Sequence, residues 1–223
     1  IDLLAELRRD GGELPDLAGF RISGAAVPDA VCAELLDHGI TPQSGYGMTE
    51  ACSHHYTLPD DPPARITGTS GTACSGYEVR VFAQDDPNRE AAVNEIGQIG
   101  GRGSSLMLGY FEDAAATAAS FNNAGFFMTG DIGALDADGY LRITGRKKDV
   151  IIRGGHNIYP ARIEALAMRH GAVERAAAVP VPDERLGERV CIAVTLRPDG
   201  DLEPHDLLTH LDSEGLSKYD MPE

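Results

Sequence analysis

The sequence predicts a mixed α/β and α+β protein in three stretches: an α/β segment, a β-rich segment that reads as a small barrel-like subdomain or a distorted sheet, and a small α+β domain. Three observations predict it. Helix and strand patterns alternate over residues 1–64. Short β runs punctuated by Gly, Asp and Pro dominate residues 65–147. From residue 148 onward, two helical patterns accompany two apolar strand runs.

Taken in order, Asp2 to Arg9 reads as a helix and Phe20 to Ser23 as a short strand. Pro28 opens a helix at its first position, and Gly39 closes it. The strand Gln43 to Gly47 follows, giving a βαβ-like unit of a mostly parallel sheet. Ile66 to Thr72, Tyr77 to Ala83, Ile96 to Gly101 and Ser105 to Leu108 are the β runs of the expected barrel or distorted sheet. Glu112 to Phe121 is Ala-rich and helical. Ile132 to Leu135 and Tyr140 to Ile143 flank Asp136-Ala137-Asp138-Gly139, a hairpin signal because Asp-Gly accepts the positive φ of a tight turn. Val150-Ile151-Ile152 leads into a Gly154-Gly155 break. A helix then starts at Pro160 and stops at Gly171, with Ile163, Leu166, Ala167 and His170 on one face. Strands at Ala176 to Val181 and Val190 to Leu196 enclose an exposed turn, and a helix from Pro204 to Asp212 follows.

Composition narrows the function. Of the 223 residues, 19 are Lys or Arg and 35 are Asp or Glu, a net charge of −16, so nucleic acid and anionic membranes are poor partners. No stretch approaches the roughly 20 apolar residues of a membrane span and no signal pattern opens the chain, so the expected location is the cytoplasm. Cys32, Cys52, Cys74 and Cys191 form no CxxC and read as reduced thiols. The chain begins on Ile1 and stops at Met221-Pro222-Glu223, which reads as a piece of a longer protein. Its one basic cluster, Arg142, Arg146, Lys147, Lys148 and Arg153, is opposed locally only by Asp149 and suits an anionic ligand or an acidic surface.

Two glycine-rich stretches read as turns rather than phosphate loops. Gly68-Thr69-Ser70-Gly71-Thr72 lacks the following Lys and helix of a Walker loop, and Gly101-Arg102-Gly103-Ser104-Ser105-Leu106 lacks the third Gly of a dinucleotide fingerprint. His54-His55 reads as a surface pair, with a reach to the pocket mouth as the alternative.

Four other stretches carry chemistry. Gly45-Tyr46-Gly47-Met48-Thr49-Glu50 places an aromatic ring, a hydroxyl and a carboxylate at a strand end, where ligands gather in open α/β sheets. A Tyr ring can stack on a base, a Thr hydroxyl can bond a phosphate oxygen, and a Glu can hold Mg²⁺. Thr129-Gly130-Asp131 offers a carboxylate able to accept both hydroxyls of a ribose. Gly145-Arg146-Lys147-Lys148-Asp149 supplies cations. Gly154-Gly155-His156-Asn157-Ile158-Tyr159-Pro160 allows close backbone approach to a ligand.

With Gly24-Ala25-Ala26-Val27 ahead of them, and with Met107-Leu108-Gly109-Tyr110 and Gly125-Phe126-Phe127 between, these motifs in this order resemble the adenylate-forming superfamily of acyl-CoA synthetases, luciferases and peptide-synthetase adenylation domains. The resemblance covers nearly the whole chain. It implies the end of a large adenylate-forming domain over residues 1–147, then a hinge and a small C-terminal domain over 148–223. It also implies the reaction: a carboxylic acid and ATP, with Mg²⁺, form an acyl adenylate, and coenzyme A then displaces AMP.

Residue by residue, the resemblance implies that Gly24, Ala25 and Ala26 border the adenine and that Tyr46 stacks on it beside Gly47. Thr49 would bond phosphate and Glu50 would bind the metal, these two being the catalytic pair. Asp131 would hold the ribose, assisted by Arg146. Lys148 would be the hinge, and Gly154 and Gly155 would line the pantetheine tunnel. The family's upstream phosphate loop and its C-terminal Ser-Gly-Lys are not in this sequence. Gly154 to Glu164 is most similar to medium-chain or alicyclic carboxylate-CoA ligases. An adenylation domain loading a carrier-protein thiol and a non-catalytic nucleotide-binding module are the alternatives.

Overall fold

Two units make up the chain, Ile1–Ile143 and Thr144–Glu223, and each builds a hydrophobic core from its own residues. The computed structural model describes residues 2–11, 14, 16–24, 27–198 and 200–223.

In the first unit, helix α1 (Asp2–Asp10) places Leu4 and Leu7 one turn apart, and both pack with Leu35 and Ile40. Strand β1 (Gly19–Ser23) pairs in parallel with β2 (Thr41–Met48), and α2 (Asp29–Asp37) makes the crossover, so the expected βαβ unit forms. Pro28 stands one position before the helix, at its N-cap, rather than at its first residue. Strand β3 (Cys52–Tyr56) returns antiparallel to β2, and β4 (Thr72–Ala73) completes a sheet ordered β1-β2-β3-β4.

The run Ile66 to Thr72, expected as a strand, begins instead as helix α3 (Pro63–Gly68). Pro62 and Pro63 pre-set the helical entry, the Ile66 N–H donates to the Pro62 carbonyl at 3.1 Å, and the Ile66 side chain is buried.

A second sheet is ordered β5 (Tyr77–Phe82), β6 (Gly97–Gly103), β7 (Phe127–Leu135) and β8 (Leu141–Arg146). Among the described residues this sheet is open and its register slips between β6 and β7, so of the two expected forms it is the distorted sheet and not the barrel. Of the expected turn Gly101 to Leu106, the first three residues extend β6 by pairing with Val79, Glu78 and Tyr77 of β5, their glycines leaving room for the Tyr77 ring, and the chain turns from Ser104 onward. Ser105 to Leu108 is therefore not a strand. Leu106 turns back onto the Gly103 carbonyl, and Met107 gives its N–H to the Glu50 carbonyl at 2.7 Å. Helix α4 (Ala114–Ala119) is capped by Asp113, whose Oδ1 accepts the Ala116 N–H at 2.8 Å. The Asp136 carboxylate accepts the N–H groups of Asp138 and Tyr140, each at 2.9 Å, and closes the hairpin between β7 and β8.

The second unit opens with the last residues of β8, followed by a short 3₁₀ turn at Lys147–Asp149. Its sheet is ordered β10-β9-β12-β11, built from β9 (Ile151–Arg153), β10 (His156–Ile158), β11 (Val173–Asp183) and β12 (Gly187–Leu196). Helices α5 (Pro160–Ala167) and α6 (Pro204–Ser213) bury Ile163, Leu166, Leu207 and Leu211 in one core with Ile151, Val173 and Val190.

Candidate nucleotide-binding site

The parallel strands β1 and β2 run side by side, and at their carboxyl ends opens a cleft of about 370 Å³ lined by Ser23, Gly24, Gly47, Met48, Cys52 and Ser53. This is where ligands sit in open α/β sheets. Two of the expected site residues, Gly24 and Gly47, line it. Ala25 and Ala26 lie outside the described residues. Gly47 is required by space: a Cβ there would stand 2.1 Å from the Cys52 carbonyl oxygen.

The second contributor comes from β7. The register between β6 and β7 slips between Gln98 and Gly100, so Thr129-Gly130-Asp131 forms a bulge. Gly130 takes φ of +78°, the Thr129 hydroxyl donates to the Ile99 carbonyl at 2.9 Å, and its oxygen accepts the Asp131 N–H at 3.1 Å. Re-aimed by this bulge, the buried Asp131 carboxylate accepts the Tyr46 hydroxyl through Oδ2 at 2.6 Å. Two motifs that lie 85 residues apart are thereby joined. Tyr46 is only 7% exposed and packs with Val81, Ile99 and Leu141, so in this conformation its ring offers a base little free face. Its visible work is to hold Asp131.

Thr49, Glu50 and Ala51 form the turn between β2 and β3, with Thr49 exposed at its tip. The loop after β6 braces this turn. Met107 donates to the Glu50 carbonyl, the Ser105 hydroxyl to the Ala51 carbonyl at 3.4 Å, and the Tyr110 hydroxyl to Glu50 Oε1 at 3.1 Å. Sequence reasoning noticed the Met107 to Tyr110 phrase without assigning Tyr110 a task. Its signal is a lone Tyr in a loop, readable only once the partner carboxylate is in view. Among the described residues no group of three or more His, Cys, Asp or Glu is arranged to hold a metal ion. A single carboxylate fits Mg²⁺, a hard cation usually held by one or two carboxylates together with substrate phosphates.

His54 and His55 are not a surface pair. Both are fully buried, and among the described residues none of their ring nitrogens has a hydrogen-bond partner. Burial lowers His54 to about 4, and burial with the neighbouring His54 lowers His55 to about 3.

In the second unit, Arg146 ends β8 and is exposed, as is Lys148 in the 3₁₀ turn. Gly154 and Gly155 connect β9 to β10 with φ of +58° and +86°, the paired positive values of a tight two-residue hairpin. Beside the turn, His156 Nε2 is 2.8 Å from Asp220 Oδ1, and Arg153 donates to the Tyr219 and Met221 carbonyls, each at 3.3 Å.

Residues 2–111 match the family of AMP-binding enzymes, and residues 162–223 match the C-terminal domain of AMP-binding enzymes. Over all 223 residues the chain is 35% identical to a medium-chain fatty-acid–CoA ligase of Escherichia coli (strain K12), covering 39% of that protein. It superposes on o-succinylbenzoate CoA synthetase from Bacillus subtilis in complex with an acyl-adenylate intermediate, with a TM-score of 0.87 and 28% identity over 99% of this chain and 44% of that one. For ATP-bound MatB from Rhodopseudomonas palustris the TM-score is 0.85 at 31% identity, covering 92% of this chain and 40% of that one. The chain thus spans about two fifths of the length of the relatives it matches. Among the described residues no helix is long and apolar enough to cross a membrane.

Proposed function

This chain belongs to the adenylate-forming superfamily of AMP-binding enzymes, and from that premise we propose that the full-length protein is an AMP-forming acyl-CoA ligase working in the cytoplasm. It joins a carboxylic acid to ATP as an acyl adenylate, releasing pyrophosphate, and passes the acyl group to the thiol of coenzyme A, releasing AMP. The observation that carries the reading is the Tyr46–Asp131 hydrogen bond at 2.6 Å, which joins the two expected nucleotide motifs, the first of which lines the cleft through Gly47 and Met48.

The chemistry asks for such an arrangement. A carboxylate is a poor electrophile, and its adenylate carries a good leaving group that a thiol can displace. Asp131 takes the ribose hydroxyls while Tyr46 anchors it, and the adenine lies along Gly24 and the Tyr46-Gly47 edge of β2. Thr49 donates its hydroxyl to a phosphate oxygen. Glu50, braced by Tyr110, is the residue that would hold Mg²⁺, which when bound neutralises phosphate charge. Arg146 assists at the ribose, Lys148 is the hinge between the half-reactions, and the Gly154-Gly155 turn approaches the pantetheine arm. A medium-chain or alicyclic acid is the proposed substrate class, the former supported by the 35% identity over the whole chain to a medium-chain ligase.

The test is a panel of straight-chain and alicyclic acids with ATP and coenzyme A on the full-length protein, reading AMP release and thioester formation. Thioester from medium-chain or alicyclic acids is the expected result. Acid-dependent pyrophosphate exchange without any thioester would point to a carrier-protein acceptor. No acid-dependent turnover of ATP would leave a nucleotide-binding module.

A further inference from the structure

We propose that His54 is a positioning residue for the nucleotide site, the middle ring of a buried column that fixes the phenol holding Asp131. The proposal rests on the nucleotide reading given above and adds to it a residue that touches neither substrate nor metal.

The column starts from a register slip. Tyr46 pairs with His55 and Gly47 pairs with Ser53, which leaves His54 as the extra residue of a bulge in β3. Regular alternation sends one of two adjacent strand residues outward, whereas both histidines here are fully buried. The bulge depends on Gly47, because a Cβ at that position would also lie 2.6 Å from the Ser53 Cα.

Turned inward, the His54 ring meets Tyr46 edge-on, with centroids 4.6 Å apart and planes at 77°. A second phenol, the Tyr77 ring, stacks on it at 5.1 Å and 14°. Tyr77 is itself seated on glycine: a Cβ on Gly103 would lie 2.4 Å from its ring. The column therefore runs from β6 through β5 and β3 to β2, and ends at the Tyr46 hydroxyl on Asp131 of β7. It connects the two sheets of this unit and reaches the carboxylate through Tyr46.

Hydrogen bonding does not explain the imidazole, since neither of its nitrogens has a partner among the described residues. What it contributes is a flat ring of the right size, in contact with both phenols. Were it merely core filler, an apolar side chain of similar volume would serve as well or better, because it strands no polar atoms.

The test uses His54→Leu in the full-length protein, with calorimetric titration of ATP and steady-state kinetics. Loss of an edge-to-face pair should raise the Kd and KM for ATP roughly tenfold, leave the KM for the acid unchanged, and keep the melting temperature near that of the parent. Tyr46→Phe should weaken ATP similarly, and the double variant should lose little more, because both act through one hydrogen bond. Unchanged ATP affinity, or losses that simply add, would overturn the proposal. Should His54→Leu fail to fold, Tyr77→Leu decides, since removing the outer ring loosens His54: a several-fold weaker Kd supports the column and an unchanged one ends it. Asp131→Ala separates the two levels. If that variant binds ATP normally, the nucleotide reading itself fails. If it loses ATP while His54→Leu does not, only the positioning role fails.

Discussion

At Asp131 the structure sharpens what a substitution should do. Its carboxylate already accepts one phenol hydrogen, and in the proposed complex it accepts the ribose hydroxyls as well, so Asp131→Ala strands several donors at once. ATP binding should weaken by about 2–4 kcal/mol, measured by calorimetry on folded protein. A turn residue without a ligand role would lower stability alone. The two buried histidines give a second residue-level prediction. Above pH 6.5 they are neutral in both folded and unfolded chains. Below it the unfolded chain gains protons that the folded one refuses, until about pH 4 for His54 and about 3 for His55. Stability should therefore fall with acidification at about 1.4 kcal/mol per pH unit for each histidine. Melting curves from pH 7.5 to 4.5 should be flatter for His55→Leu than for the parent. Parallel curves would assign the acid loss to carboxylates instead.

Among the elements, those set by neighbouring residues were legible in the sequence and those set by remote ones were not. The Asp136 hairpin, the Pro160 helix and the β11–β12 pair could be read because their turn residues and apolar spacing act within a few positions. Ile66 misled because a β-branched run outweighed the two prolines before it. Strand β3 was missed, and its histidines misplaced, because their burial depends on Gly47 and on the Tyr77 ring. The site followed the same rule. Its motifs were legible as residues, but the contact between Tyr46 and Asp131 needed the β7 bulge. Gly47→Ala should thus be severe, since its Cβ meets backbone on β3: a loss of about 3 kcal/mol, with ATP affinity falling in parallel. Gly171→Ala is the control, because nothing lies within 4 Å of a Cβ there. Urea titration of both variants checks the contrast.

For the whole molecule, the proposed hinge carries the prediction. Lys148 sits in a 3₁₀ turn, where φ lies near the value that proline imposes. If the adenylation pose holds φ close to that value, Lys148→Pro should leave pyrophosphate exchange largely intact and depress thioester formation by orders of magnitude. Equal loss in both assays, with Lys148→Ala unaffected, would indicate misfolding rather than a blocked rotation.

The Tyr46–Asp131 bond also bears on how the protein comes into being. A ribosome must complete β7 before Tyr46 can find its partner, so the nucleotide site is among the last features of its unit to close. The second unit is organised differently: β9 with β10, and β11 with β12, join neighbours across short turns. In pulse-labelled hydrogen exchange during refolding, amides of β11 and β12 should gain protection ahead of those around Asp131. Between those two events the refolding chain would hold a paired β11–β12 ribbon and no place for a nucleotide, so binding competence should arrive as a distinct late phase.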